Sequence, residues 1–394
     1  MTAKPLTPHR IVIVGGGFAG VRAATLLAKA KPANTTVTLI SDRGHFEYYA
    51  TLYRIVAGYA MEEVRVPLQP LFRDTCVALI TDRITAVDPK AKTVKGKKSY
   101  PYDTLVLALG SETTYFGIPG MESAFGMKDI AQAQELRAHI RTTFAAAKGT
   151  KAAQDAAGHI VIIGGGATGV ELAGELSHYA PAVARDVGFD RTRIRITLLE
   201  ALPRILPLVP EDMSAKTKRR LEALGVRVQL NCAVQRKEEG TVVLKDNKIQ
   251  SATVVWTAGV KANGLYAQIP GAETDKKGRV VVDEFLRAKN LPDIMVIGDG
   301  AATQYSGMAQ TAVFDGTLAA HNILRLLRKQ PLKANVPQKP AFAIPAGPHW
   351  AAVLYGPIKA YGILGWAMRR AADMRAFLTL MPLGQALKTF FGRK

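Results

Sequence analysis

Two stretches of this chain set an unbroken run of Ile and Val directly before a cluster of glycines: Arg10-Ile-Val-Ile-Val-Gly-Gly-Gly-Phe-Ala-Gly20 and His159-Ile-Val-Ile-Ile-Gly-Gly-Gly-Ala-Thr-Gly169. A strand apolar on both sides suits a parallel sheet covered by helices, and the glycines after it predict a tight turn into a helix. The pattern predicts helices over 21–29 and 170–178, each followed by a β-rich run at 36–40 and 194–199. Each set completes a βαβ unit. The fold class is therefore α/β with two Rossmann-like dinucleotide-binding domains.

Between the units, 130–158 is rich in Ala and Gln and reads as a connecting helix that ends in a loop at 149–158. Beyond the second unit, 226–230, 242–244 and 253–257 have strand length and apolar character, and another strand ends at Gly298-Asp299-Gly300. A helix over 309–329, a Pro/Lys-rich linker over 330–340 and a basic, aromatic tail follow. In the tail, Leu364, Met368, Ala371, Met374, Leu378 and Met381 recur at steps of three or four, with Arg369, Arg370 and Asp373 opposite. This predicts an amphipathic helix lying in a lipid interface, with Trp366 at headgroup depth and Arg375 snorkelling. A helix docked on its own protein, or a homodimer contact, is the other reading.

Charge sharpens that expectation. The net charge of +20 attracts polyanions. From His321 onward, twelve Lys/Arg stand against the single acid Asp373, so the excess gathers in the tail and favours an anionic membrane surface. No stretch approaches ~20 uninterrupted apolar residues, which argues against a spanning helix. The start MTAKPLTPHR has no cleavage-like small residues before the first glycine turn, so no signal peptide is expected. Cys76 and Cys232 are too few and too far apart for a disulfide framework, a zinc knuckle or a CxxC pair; a reducing compartment and no metal are expected. No motif points to nucleic acid.

A glycine turn between strand and helix lets backbone amides and the helix N-terminus meet a pyrophosphate without side chains intervening. Gly15, Gly16, Gly17, Phe18, Ala19 and Gly20 form the first such turn; Gly164, Gly166 and Gly169 form the second. An acid at the end of the next strand would bond the ribose hydroxyls. In the second unit Glu200 fits, and its charge would repel a 2′-phosphate, so NADH is expected over NADPH. Its distance from the turn exceeds the usual spacing and predicts an insertion around 181–193. In the first unit Ser41 occupies the expected place and Asp42 lies one residue beyond; either could bond the ribose.

With these segments in order, the chain resembles the two-dinucleotide-binding flavoproteins, and within them the type II, non-pumping NADH:quinone oxidoreductases. The resemblance covers nearly the whole chain. It implies that the first turn binds FAD and the second NADH. It also implies that Thr104-Leu-Val-Leu-Ala-Leu-Gly110 ends the first FAD segment, that Val255-Trp-Thr-Ala-Gly259-Val returns to the FAD domain, and that Gly298 and Asp299 meet the ribityl chain. The expected division is 1–115 and 259–335 for the FAD domain, 116–258 for the NADH domain and 336–394 for the membrane-associating region.

His45-Phe-Glu-Tyr-Tyr-Ala-Thr-Leu-Tyr53 is similar to a family stretch beside the flavin, with Ala50 where the family has proline. Ala309 and Gln310 match a helix start whose amides approach the flavin ring and whose glutamine borders the quinone. Phe314 and Asp315 replace the glutamine pair that follows in the family; Phe314 could stack on a flat quinone, whereas Asp315 would have to face solvent. Glu171 matches a glutamate near the nicotinamide and quinone sites, though a helix N-terminus favours an acid for its own reasons. The implied function is hydride transfer from NADH to FAD and two-electron delivery to a quinone, by a peripheral enzyme on the cytoplasmic face of a membrane. A soluble ferredoxin or rubredoxin reductase, and a redox-sensing protein with structural cofactors, are the alternatives.

Overall fold

The computed structural model describes residues 7–392; the first six residues of the basic start and the last two of the tail lie outside them. His9–Val14, buried on both faces from Ile11 onward, lies inside a six-stranded sheet. The sheet order is Arg287–Ala288, Leu291–Val296, Thr104–Leu107, His9–Val14, Thr35–Ser41, Val77–Thr81, and all neighbours but the first pair are parallel. His159–Ile163 holds the matching place in a second, all-parallel sheet ordered Val226–Gln229, Arg195–Leu199, His159–Ile163, Thr253–Trp256. Two short antiparallel strands, Ser111–Thr113 and Val260–Ala262, pair at the crossing between the sheets.

The glycine-turn helices run Phe18–Ala30 and Ala167–Val187, each starting three residues before the apolar period alone predicts. The second continues through Pro181 and ends at Gly188, whose φ is 73°. The expected insertion is thus mostly helix. Proline removes one backbone bond there, but Val183 and Ala184 beyond it are buried, as is Ala180 before it, and that packing outweighs the loss. The loop expected at 149–158 holds a short helix, Lys151–Ala157, whose N-cap Thr150 accepts from Ala153 N at 3.2 Å.

Helix Ala309–Leu327 packs on Phe18–Ala30, where a side chain on Gly316 would collide with the backbone of Ala19. A three-stranded antiparallel sheet, Phe342–Pro345, Ala351–Tyr355 and Ile358–Ala360, then leads into the tail helices Gly362–Leu380 and Leu383–Phe391. The inward face of Gly362–Leu380 is mixed, charged near its middle and apolar toward its end. Arg369 and Asp373 point into the protein, 7% and 2% exposed, whereas Leu364 and Leu378 point out. Met381, expected on the outer stripe, is buried with Phe377, Leu380 and Ala386 in the core that Phe18, Phe46 and Leu318 also build. Among the described residues, no helix is long and apolar enough to cross a membrane.

Candidate functional site

Both glycine turns have one construction. Gly15 and Gly164 have φ of 118° and 113°, the left-handed half of the map, and press against the next strand at Ala108 and Ala258. Gly17 and Gly166 face open space and are the N-caps of their helices, with no side chain bonded to the helix amides. Free amides at an uncapped, sterically bare helix start are what a pyrophosphate requires.

Strand register fixes how the two units correspond. Ile40 pairs with Val14 as Leu199 pairs with Ile163, so Ser41 occupies in the first unit the position of Glu200 in the second. Ser41 is buried against Gly16, while Asp42 is exposed beside Arg43 at 3.5 Å. The Glu200 carboxylate, nearly buried, accepts from Gly165 N at 2.7 Å and from Leu202 N at 2.8 Å. It therefore rigidifies the second turn as well as lining it.

Near the first turn, Asp299 Oδ2 accepts from Ser111 Oγ at 2.7 Å, and Ser111 Oγ accepts from Lys128 Nζ at 2.8 Å. Burial pushes the Lys128 ammonium below its ordinary pKa, with Asp299 opposing. Neither Ser111 nor Lys128 stood out in the sequence. The legible signal nearby was a helix start: Asp129 caps Ile130–Ala146 by accepting from Gln132 N, and Gln132 Oε1 accepts from Lys128 N. Gly110, at φ 69°, has open space beside it, and Asn263 N donates to its carbonyl; Gly259 abuts the Phe116 ring, which leaves no room for a side chain; Gly298 N donates to Asp315 Oδ2 at 3.0 Å. Ala309 begins its helix as expected.

Glu171 sits in a buried charge network. Arg369 donates to Asp373 Oδ1 at 3.0 Å, to Glu171 Oε1 at 3.5 Å, to Ala343 O at 2.5 Å and to Ala50 O. Tyr48 OH donates to Asp373 Oδ1 at 2.9 Å, and burial, with Asp373 beside it, keeps this phenol protonated far above its ordinary range. Burial raises the Glu171 carboxyl to about 7, with Arg369 pulling the other way. Gln310 is exposed and exchanges two hydrogen bonds with the backbone of Ala341, at 3.2 and 3.0 Å. Gln310, through Ala341 just before strand Phe342–Pro345, and Arg369, the partner of Glu171, through Ala343 on that strand, thus grip one segment two residues apart. Asp315 does not face solvent: it is fully buried, and burial raises its carboxyl to about 7. Gly316 explains this, since the helix face that touches Ala19 carries its neighbour inward. Cys76 and Cys232 are both free thiols.

The family model for pyridine nucleotide-disulphide oxidoreductases matches residues 9–316. The chain is 29% identical to the type II NADH:quinone oxidoreductase of Staphylococcus saprophyticus, with 96% of this chain and 98% of that one covered. It is 34% identical to the type II NADH:quinone oxidoreductase NdhA of Mycobacterium tuberculosis, over 80% of this chain and 72% of that one. Among solved structures, NDH2 from Plasmodium falciparum in complex with NADH shares the fold, with a TM-score of 0.86 over 97% of this chain and 96% of that one, at 17% identity.

Proposed function

Since the chain belongs to the type II NADH:quinone oxidoreductases of the pyridine nucleotide-disulphide oxidoreductase family, we propose a role for each part of its site. The enzyme binds FAD and NADH and passes electrons from NADH to a quinone. Bound FAD supplies the hydride acceptance and two-electron delivery, and the residues of the chain bind, orient and exclude water. In our reading, Gly15, Gly16, Gly17, Phe18, Ala19, Gly20 and Ser41, with Gly110, Gly259, Gly298, Asp299 and Ala309, hold FAD, and Ser111 and Lys128 brace Asp299. Gly164, Gly166, Gly169 and Glu200 hold NADH. Glu171 and Gln310 border the place of exchange.

One observation carries this reading. The two uncapped, side-chain-free helix starts belong to separate sheets, joined by the crossing strands Ser111–Thr113 and Val260–Ala262. Two such cradles suit two dinucleotides better than one. The test is anaerobic addition of NADH to the purified protein, followed by a panel of acceptors. The bound flavin should bleach, and a short-chain quinone should reoxidise it faster than ferredoxin does, with Gln310→Ala and Glu171→Gln slowing the quinone step. Faster reoxidation by ferredoxin, with both variants unaffected toward quinone, would favour the soluble-reductase alternative.

For the tail we propose attachment to an anionic membrane on the cytoplasmic side. Leu364, Leu378, Leu383, Leu387 and Phe391 are all exposed on the two tail helices, and Arg375 and Lys388 are exposed among them. A second copy of the chain could cover the same stripe, so sedimentation with and without vesicles separates lipid from homodimer.

A further inference from the structure

Helix Ala309–Leu327 grips the segment beside it at two points. Besides the Gln310–Ala341 pair, Asn322 donates to Lys333 O and accepts from Lys333 N, both at 2.9 Å. The grips are about 18 Å apart along the helix, and residues 334–340 cross that distance as a strap. Beneath it lies a cavity of about 70 Å³, room for a few waters, bordered by Thr303, Phe314, Asp315 and Asn335. Three of these bring a buried oxygen with no hydrogen-bond partner: Thr303 Oγ1, Asp315 Oδ1 and Asn335 Oδ1. A polar void beside orphaned buried oxygens suits bound water, which would reach them after a small movement of the side chains between.

The carboxylate among them is unusual in its setting. Gly298 N is its hydrogen-bond partner on the other oxygen, one residue from Asp299. The charged and titratable groups near it are Asp299 on the Gly298–Gly300 turn and Tyr305 and Lys339 on the cavity wall, and the packed helix Phe18–Ala30 carries Arg22. Arg22 is engaged elsewhere, donating to Thr317 Oγ1 at 2.9 Å and to Thr379 O at 2.6 Å. Among the described residues no cation pairs with Asp315.

We propose that Asp315 takes up a proton when the flavin is reduced, with the cavity under the strap as its route to solvent. This rests on the FAD assignment of the first turn and of Gly298 and Asp299. Hydride transfer brings two electrons and one proton, so the cofactor site gains one negative charge. A buried, unpaired carboxylate beside that site then binds a proton more tightly, because the two charges interact in a low-dielectric interior. The balance is NADH, oxidised site and one proton from bulk water going to NAD⁺, reduced flavin and neutral Asp315. When the quinone takes a hydride equivalent from the reduced flavin, the proton that Asp315 gives up balances the one the quinone needs to leave as quinol, and Asp315 returns to its ionised form.

The experiment mixes holoprotein anaerobically with NADH in weak buffer containing a pH-indicator dye, above pH ~7. The wild type should take up about one proton per flavin bleached, and Asp315→Asn close to none. Asparagine keeps an acceptor for Gly298 N. In parallel, the flavin midpoint potential is measured against pH. Each proton coupled to reduction shifts the equilibrium tenfold per pH unit, about 30 mV for a two-electron couple. The wild-type slope should steepen above pH ~7 and the variant's should not. Protonation of the reduced ring itself would bend the line the other way, steeper toward low pH. If the variant loses its flavin, Glu171→Gln, which removes the other carboxyl raised to about 7, should still take up the proton; loss of uptake there would move the role to Glu171 and overturn the proposal. Normal bleaching without proton uptake, or equal uptake in Asp315→Asn, overturns the proposal. A protein that binds no FAD overturns the cofactor reading, and this proposal with it.

Discussion

At the scale of single residues, the glycines were legible because a turn that needs positive φ and a bare helix start admits little else, and the pattern occurs twice. The ribose partner in the first unit was not legible, since strand ends shift by a residue and Ser41 and Asp42 are neighbours. Register with His9–Val14 supplies what the sequence lacked, setting Ser41 level with Glu200. Ser41→Ala should therefore weaken FAD retention several-fold in a dilution assay, and Asp42→Ala should change it less than about twofold; the reverse order would return the role to Asp42. Glu200 has two tasks. Glu200→Gln should narrow the preference of kcat/KM for NADH over NADPH by about tenfold, by removing repulsion of the 2′-phosphate. It should also cost about 1–3 kcal/mol of stability, because one of the two amides bonded to the carboxylate loses its acceptor. Equal kcat/KM for the two nucleotides in the wild type would refute this account.

At the scale of elements, periodicity found the tail helix but not which way it faces, because a repeat of three and four reports two faces without saying what lies against either. The answer comes from partners far apart in sequence: Tyr48, Ala50, Glu171 and Ala343 together offer Arg369 and Asp373 a site. Ser111 and Lys128 escaped notice for the same reason, as a crossing strand brings the first to Asp299 and the start of helix Ile130–Ala146 brings the second to Ser111. Arg369→Met would leave two carboxylates buried without their cation, and should cost about 3–5 kcal/mol in urea unfolding. A loss below about 1 kcal/mol would mean that the network does not hold the tail. The network also sets a pH dependence. Glu171 titrates near 7 when folded against 4.5 ordinarily, so between those values the folded state binds more protons than the unfolded one. Stability should then fall as pH rises through this window. Asp315 adds a slope of the same sign. Unfolding midpoints measured between about pH 5 and 8 should decline in the wild type and decline less in Glu171→Gln.

At the scale of the whole molecule, the +20 charge and the exposed apolar stripe converge on the tail, but the tail is not a detachable module. Phe377, Leu380, Met381 and Ala386 complete the core around the first glycine-turn helix. Deleting 361–394 would strip that core and confound membrane release with unfolding. Surface substitutions separate the two. Leu364 and Leu378 are 65% and 46% exposed, so Leu364→Glu with Leu378→Glu should leave the fold and NADH–ferricyanide activity nearly unchanged. On a membrane each such change removes apolar burial of about 1.5–3 kcal/mol and adds a charge repelled by anionic lipid. The double variant should therefore stay in the supernatant when the wild type pellets with anionic vesicles. Salt should only partly release the wild type, since screening weakens the attraction of Arg375 and Lys388 for the headgroups but leaves the buried stripe. If the double variant pellets as the wild type does, some other surface holds the membrane. If instead it shifts a dimer to a monomer without affecting vesicle binding, the stripe belongs to a second copy of the chain.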